Sequence, residues 1–328
     1  MSLEKPKVKY SDFLKSKAAE GVTVALLIER YIAEMESVKP CGDSQKYVLR
    51  AMARRALGSK AAVTITHADI IAYAKARRAE RVIHTAERLV GAATVGQELS
   101  YLSVVLKYAG PAWDCKDVTA AAILSAKPWL MKQGVIGKSA PRDRRPTAEE
   151  LVSLEAIALE RNKQPGTKID LVKLARWQIA SCRRVSETCR IEWRGWNEQD
   201  QTMLVTKVKD PRTRNKTKHA ALTTEAQAML HELALEMNAA GPQAWGDQEK
   251  RIFPWNSKSA SQAYADIKRK AGIQGLRLHD SRREGCTRLI EAGYKTTQAI
   301  MVSLHETDAI FQRNYMRQDP ASFKDLQP

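Results

Sequence analysis

The chain has no run of about 18 apolar residues, the length a helix needs to cross a bilayer. Residues 1–17 mix charged and polar side chains and hold no apolar signal core. A membrane span and a secretory leader are therefore not expected, and a cytoplasmic protein is. Cysteine is sparse: Cys41, Cys115, Cys182, Cys189 and Cys286 are scattered, odd in number and without a C-x-x-C pair. That pattern suggests neither a disulfide framework nor a zinc site, so reduced thiols are expected. There is no Gly-rich phosphate loop, internal repeat or low-complexity tract, which argues against a nucleotide-driven motor.

What the chain has in excess is positive charge. With 54 Lys+Arg against 37 Asp+Glu, it carries a formal charge of +17, which points to a polyanionic partner, nucleic acid first and anionic membrane second. Its 328 residues, 44% of them hydrophobic, suffice for two domains with sizeable cores.

Helical periodicity covers the first part of the chain. Val24, Leu27, Ile28, Tyr31 and Ile32 recur at helical spacing, followed by Tyr47, Leu49, Met52 and Ala53. Capping signals precede two further runs, Thr66 to Asp69 before Ile70 and Thr94 to Gln97 before Leu99. Residues 22–130 thus read as an all-α domain behind a short extension, residues 1–21. Pro111, Pro128, Gly134, Gly137, Pro141 and Pro146 interrupt the pattern. Lys132, Lys138, Arg142, Arg144 and Arg145 make residues 131–146 a basic linker, either lying against a nucleic-acid backbone or merely solvated.

A second domain, residues 147–328, opens at the capping box Thr147 to Glu150. A helix over 169–182 is followed by strand candidates at 203–206 and 219–222, with a basic stretch between them. Helices are then expected over 223–238, 259–271 and 279–292 and from about 296. The fold class is mainly α with a small β-sheet or hairpin. Trp177, Trp193 and Trp196 are expected in the second core, and Cys182 and Cys189 are expected to pack.

The chemistry-bearing residues cluster late in the chain. His279-Asp280-Ser281-Arg282, then Leu304-His305, then Tyr315 supply two imidazoles, a guanidinium and a phenol. These are the parts needed to attack a phosphodiester. Phenol is a weak nucleophile near neutrality, with an ordinary pKa of about 10, so it needs cations and proton acceptors around it. Paired guanidinium forks stabilise charge developing on phosphate oxygens, and imidazole moves protons near the working pH.

The region from about Thr147 to Pro328 resembles the catalytic domain of the tyrosine recombinases, the phage-integrase family. Ser181 to Glu187 is similar to the family's first box, an arginine followed, after one intervening residue, by Gly or Ser and then Glu. This makes Arg184 the first catalytic arginine by resemblance, with Arg183 the competing choice. Leu278 to Arg282 resembles the H-x-x-R box, assigning His279 and Arg282. Ser303-Leu304-His305 resembles L-G-H with leucine in place of glycine, assigning His305. Tyr315 takes the nucleophile's place, one residue farther from His305 than in the commonest spacing. In Val205 to Arg212, Lys209 looks more like the hairpin lysine that protonates the leaving oxygen than Lys207 does, and both stay open.

The resemblance implies a C-shaped DNA clamp, an all-α core-binding domain ahead of the catalytic one. It implies site-specific DNA recombination through a 3′-phosphotyrosyl intermediate, without ATP, metal or any cofactor. It further implies double-stranded DNA as partner, a homotetramer on two DNA sites, accessory DNA-bending proteins, and a prokaryotic, DNA-associated cytoplasmic location. Residues 1–21 are too short for the arm-site-binding domain of many integrases. Competing readings are a type IB topoisomerase, which shares the chemistry, and a regulatory or architectural DNA-binding protein of the same fold that has lost turnover.

Overall fold

Helices dominate because apolar side chains recur at the helical period through most of the chain. The structure, a computed structural model, describes residues 21–82, 88–139, 144–208, 216–239 and 250–315, the side chains of 239, 313 and 314 apart. It divides into two units, one ending at residue 140 and the other starting at residue 141.

The first unit holds α1 (Val24–Val38), α2 (Asp43–Ala53), α3 (His67–Ala79), α4 (Ala92–Trp113) and α5 (Ala121–Lys132). In α1, Val24, Leu27, Ile28, Tyr31, Ile32 and Met35 are buried, an unbroken apolar stripe. Leu49 and Met52 of α2, Ile70 of α3 and Leu99, Leu102 and Leu106 of α4 join them in one core, whereas Tyr47 is exposed. Thr66 and Asp69 form the expected capping box of α3.

Two expectations fail here. Helix α4 starts at Ala92 with Gly91 as its cap, so Thr94 lies inside the first turn and its N–H already bonds Gly91 O at 3.0 Å. Ala92 and Ala93 are strong helix formers that extend the helix upstream of the cap signal. Pro111 and Pro128 break nothing, since they sit inside α4 and α5. Pro111 falls in the last turn. Pro128 removes one bond in α5 and costs about 3 kcal/mol as an interior proline, but Ile123, Ala126 and Leu130 are all buried around it. Full burial of side chains of that kind contributes about 1.5–3 kcal/mol each for the large ones, enough to keep the helix.

The second unit holds α6 (Ala148–Asn162), α7 (Leu171–Ser181), the single turn α8 (Val185–Thr188), a sheet, α9 (Thr224–Ala239), α10 (Ser257–Lys270), α11 (Leu278–Glu291), α12 (Thr296–Ser303) and α13 (Asp308–Tyr315). The sheet is antiparallel in the order β1 (Trp196–Asn197), β2 (Thr202–Val208), β3 (Lys216–Ala221). The register between β2 and β3 shifts between Val205 and Val208, where Lys207 takes φ 51°. Such a bulge twists the strand and re-aims the side chains beyond it.

Thr147 and Glu150 cap α6 as expected. Trp177 and Trp193 are buried in the core over the sheet, with Trp196 packed against it and donating to Gln227 Oε1 at 2.9 Å. Two cations of the basic linker have partners within the unit: Arg144 pairs with Glu150, and Arg145 with Glu284 at 2.8 Å and Glu291 at 2.5 Å. Neighbouring carboxylates from α6 and α11 already meet these two cations. Arg142 lies outside the described residues.

Helices α7 and α11 approach closely at Gly285. A Cβ there would stand 2.0 Å from Ile179 O and 3.0 Å from Cys182 Sγ. Main chain cannot swing aside as a side chain can, so Gly285→Ala forces the two helices apart. The variant is expected to lose about 3 kcal/mol of stability, read as a lower urea midpoint at unchanged slope. A loss below about 0.5 kcal/mol, the scale of a neutral surface change, would show that the helices yield freely.

Candidate active site

The site is built where two helices end. Helix α7 stops at Ser181 because Cys182 turns left-handed (φ 54°, ψ 27°), and α12 stops at Ser303 because Leu304 does the same (φ 52°, ψ 41°). Each helix leaves its last carbonyls without intrahelical partners. Two arginines fill both ends. Arg183 donates from Nε to Ser181 O at 3.1 Å and from Nη2 to Val302 O. Arg282 donates from Nη1 to Cys182 O at 2.6 Å and from Nη2 to Ser303 O at 3.0 Å. The negative ends of two helix dipoles thus face two guanidiniums.

Glu187, 1% exposed, is the carboxylate of this assembly. It lies 3.9 Å from Arg183, 3.8 Å from Arg282 and 2.6 Å from Arg184. Burial alone would raise its pKa, but Arg183, Arg184 and Arg282 together outweigh burial and hold it below the ordinary 4.5. Arg183 is pulled down to about 10, first by burial and against the attraction of Glu187, and so remains a cation at neutral pH.

The two candidates for the first-box arginine are thereby physically distinct. The Arg183 side chain is 1% exposed and bound to main chain, whereas that of Arg184 is 25% exposed at the cap of α8, bonded to Glu187 Oε1. Only Arg184 has room to receive an incoming anion directly.

Helix α11 places His279 and Arg282 three residues apart, on neighbouring turns of one face. The His279 imidazole is lowered from its ordinary value by loss of solvent and then by the Arg282 and Arg184 charges. His305 follows Leu304 directly and is buried. Its Nδ1 lies 2.7 Å from Ser303 Oγ, and its Nε2 lies 2.9 Å from Arg282 Nη2 and 3.2 Å from Tyr315 Oη. Burial, then Arg282, Arg184 and Arg183, push His305 down to about 2, so its imidazole is neutral.

Tyr315 ends α13, buried against Phe311, with ring centroids 4.9 Å apart. Burial, then the neighbouring Cys286, raise its phenol, with Arg282 and Arg283 opposing. Arg283 also stands 5.6 Å over the Tyr315 ring, within cation–π range. The longer interval from His305 does not separate the two side chains, because residues 306 and 307 precede α13 and the helix brings the phenol back.

Arg282, His305 and Tyr315 are therefore in direct contact, with Arg184 joined to them through Glu187 and His279 through charge. Lys209 lies outside the described residues. Lys207 is exposed, and its carbonyl accepts from Arg190 Nη2 at 3.3 Å. Cys182 and Cys189 are both buried; the Cys182 thiol is raised by its hydrogen bond with Cys286 and then by burial, that of Cys189 by burial. Neither is a thiolate nucleophile at neutral pH. Sequence reasoning missed Arg183 as a structural cation, Glu187 as a hub and Ser303 as a partner of His305. A second arginine beside the first box was the one available signal.

Comparison with known proteins agrees with this architecture. The model of the phage integrase family matches residues 147–322, and the chain belongs to that family, the tyrosine recombinases that cleave and rejoin DNA. A Haemophilus influenzae protein named as an integrase/recombinase is 26% identical over 249 residues, covering 74% of this chain and 72% of that protein. The Tn1549 transposon integrase in complex with a circular intermediate DNA superposes with TM-score 0.63 at 12% identity, over 92% of this chain and 96% of that one. A lambda integrase tetramer bound to a Holliday junction gives TM-score 0.61 at 18% identity, over 94% and 83%. At such identities the structural likenesses establish the fold. Among the described residues no helix is long and apolar enough to cross a membrane, and no group of three or more His, Cys, Asp or Glu side chains could hold a metal ion.

The burial pattern sets two stability outcomes. Arg183→Ala strands two helix ends and Glu187, and is expected to cost about 3 kcal/mol or more, whereas partly exposed Arg184→Ala should cost about 1 kcal/mol or less. Thermal melts of the two variants with equal losses would refute the distinction. Glu187 is held below 4.5, so the stability it contributes is complete above that value and fades as pH falls through its lowered folded pKa. Glu187→Gln should therefore be most destabilised, relative to the natural chain, at neutral pH, and the gap should narrow as urea unfolding is repeated below about pH 4. A gap that is constant from neutral to acid pH would contradict a charged role for Glu187.

Proposed function

We propose that Tyr315 cleaves duplex DNA by attacking the scissile phosphorus, forming a 3′-phosphotyrosyl bond and releasing a 5′ hydroxyl, which reverses the step on rejoining. The observation that carries this reading is Tyr315 Oη 3.2 Å from Nε2 of a neutral imidazole, beside a buried guanidinium. The phenolic proton passes to His305 Nε2 as the O–P bond forms. Negative charge arriving with the phosphodiester offsets the Arg282, Arg184 and Arg183 charges that depress His305, which strengthens it as a base.

Arg184 donates first to the nonbridging oxygens because it is the accessible cation. Arg282 joins it by exchanging one of its present partners, Cys182 O, Ser303 O or His305, for a phosphate oxygen. His279, adjacent to both charges, contributes a further hydrogen bond. The bond from phosphorus to O5′ breaks with a proton delivered by Lys209, with Lys207 the competing donor. No energy source is needed, since the phosphodiester's energy is held in the tyrosyl ester.

In this reading residues 22–130 form the DNA-binding domain, 131–146 the linker and 147–328 the catalytic domain, and four copies act on two DNA sites. The lambda integrase tetramer on a Holliday junction supports the assembly by likeness of fold. A prokaryotic, DNA-associated location belongs to the same proposal.

Nicked suicide substrates carrying candidate attachment sites, run on denaturing gels, test it. Tyr315→Phe should bind DNA normally and form no adduct, and mass spectrometry of the trapped wild-type species should place the DNA on Tyr315. Attachment at Tyr294 would refute the assignment. Arg184→Ala and Arg282→Ala should each lose about 10²- to 10³-fold or more in cleavage. Substituting a 5′-bridging phosphorothiolate, whose sulfur leaves without a proton, should rescue Lys209→Ala and leave Arg184→Ala nearly as slow. Rescue of Lys207→Ala in its place would move the general acid to Lys207.

A further inference from the structure

Arg283 follows Arg282 on α11 and stands one full turn beyond His279, so it shares the face of that imidazole. It is half-buried, and its guanidinium carbon lies 5.6 Å from the centroid of the Tyr315 ring, over the ring face. The same ring meets His305 at 5.0 Å and Phe311 at 4.9 Å, centroid to centroid. Tyr315 is the last residue of α13, and helix ends fray, so contacts from outside its own turn decide where the phenol points. Phe311 belongs to that helix and His305 precedes it, whereas Arg283 reaches the ring from α11. Arg282, its neighbour, directs its hydrogen bonds to Cys182 O, Ser303 O and His305.

We propose that Arg283 is a positioning residue for the cleavage step, holding the Tyr315 ring by its face beside His305 and favouring that ring as it takes on negative charge. The inference rests on the reading of Tyr315 as nucleophile. The attraction of a cation for an aromatic face is electrostatic, and it grows as the phenol becomes phenolate. The contact is therefore strongest part-way through the attack, after the proton has moved to His305 and before phosphorus has drawn the charge away. An interaction of that kind speeds the step and does not tighten binding. Burial and then Cys286 raise the Tyr315 phenol, with Arg282 and Arg283 opposing, so the Arg283 charge already acts on the nucleophile in the DNA-free chain. Rejoining runs the same path backwards. The 5′ hydroxyl returns its proton to the hairpin lysine and its oxygen bonds phosphorus, the bond from phosphorus to Tyr315 Oη breaks, and the departing phenolate recovers its proton from His305. Arg283 thus favours both directions equally and leaves their balance unchanged.

Lysine in place of Arg283 keeps a cation that can reach the ring, and methionine keeps the stem without the charge. Full-length Arg283→Lys and Arg283→Met would be compared with wild type in single turnovers at saturating DNA. Cleavage is followed on nicked duplexes, and rejoining from the trapped adduct supplied with a 5′-hydroxyl strand. Arg283→Met should slow both directions by the same factor, about 3- to 30-fold, the range a cation–π contact spans from exposed to desolvated sites. Arg283→Lys should stay within about 3-fold of wild type, since it keeps the charge. DNA affinity and its dependence on salt should be alike in all three. In the DNA-free chain, the fall in urea midpoint caused by Arg283→Met should shrink in the presence of Tyr315→Leu, because the ring it held is gone.

Equal slowing of Arg283→Lys and Arg283→Met, or additive losses of stability in the double variant, would overturn the proposal. So would a loss confined to DNA affinity with a salt slope shallower by about 1, the mark of a phosphate contact. If wild type formed no adduct on any DNA, the cleavage reading would fall, while the stability cycle would still decide whether Arg283 holds the ring.

Discussion

Two guanidiniums sealed between two helix ends are the constraint on which the rest of the second unit depends. Removing an ion from water costs several kcal/mol even after relaxation, so a buried arginine persists only where fixed acceptors surround it. Arg183 and Arg282 find theirs in four main-chain carbonyls at the ends of α7 and α12, with Glu187 as the counter-charge. These contacts tie residues about 120 positions apart in the chain to one point, as in the pair Arg183 and Val302, whose separation is 119. The packing that allows it is the close approach of α7 and α11 at Gly285.

The same arrangement sets the electrostatics of His305 and Tyr315. Excess cationic charge keeps His305 neutral and favours the phenolate of Tyr315, while burial opposes ionisation of both groups. Before DNA arrives the phenol keeps its proton and the imidazole keeps its lone pair, which is a resting state for proton transfer between them. In the proposed reading, a phosphodiester entering near Arg184 offsets part of the local positive charge. Without that charge Tyr315, its phenol raised by burial, has little tendency to ionise.

Periodic apolar patterns and side-chain caps are legible because both are written in neighbouring residues. The stripe of α1, the boxes at Thr66 and Thr147 and both long strands can be read that way. Helix α5 cannot, because Pro128 is a local signal overridden by burial of Ile123, Ala126 and Leu130, which no short window reveals. The start of α4 misleads for a similar reason: the threonine there is a good cap that the upstream alanines make unnecessary. At the site, the motif spacing points to residues that do meet, Arg282, His305 and Tyr315. It cannot tell Arg183 from Arg184, since adjacent residues differ only in which way the turn after α7 aims them. It gives no sign of Ser303, whose partner is defined by the left-handed turn at Leu304.

The turn at Leu304 also joins two clusters of the second unit. Leu304 holds a backbone conformation that costs a leucine about 1 kcal/mol or more, yet its side chain lies in the core over the sheet, while Val302 belongs to the cluster around Phe311 and Tyr315. Val302 and Leu304, two residues apart, therefore pin the turn to both cores at once. Its amide is bonded to Ile300 O at 2.7 Å, so hydrogen exchange at Leu304 requires that both clusters loosen together. The Leu304 amide should then be among the slowest in the unit to exchange, and fraying at the far end of α13 would part Tyr315 from His305 while leaving that turn in place.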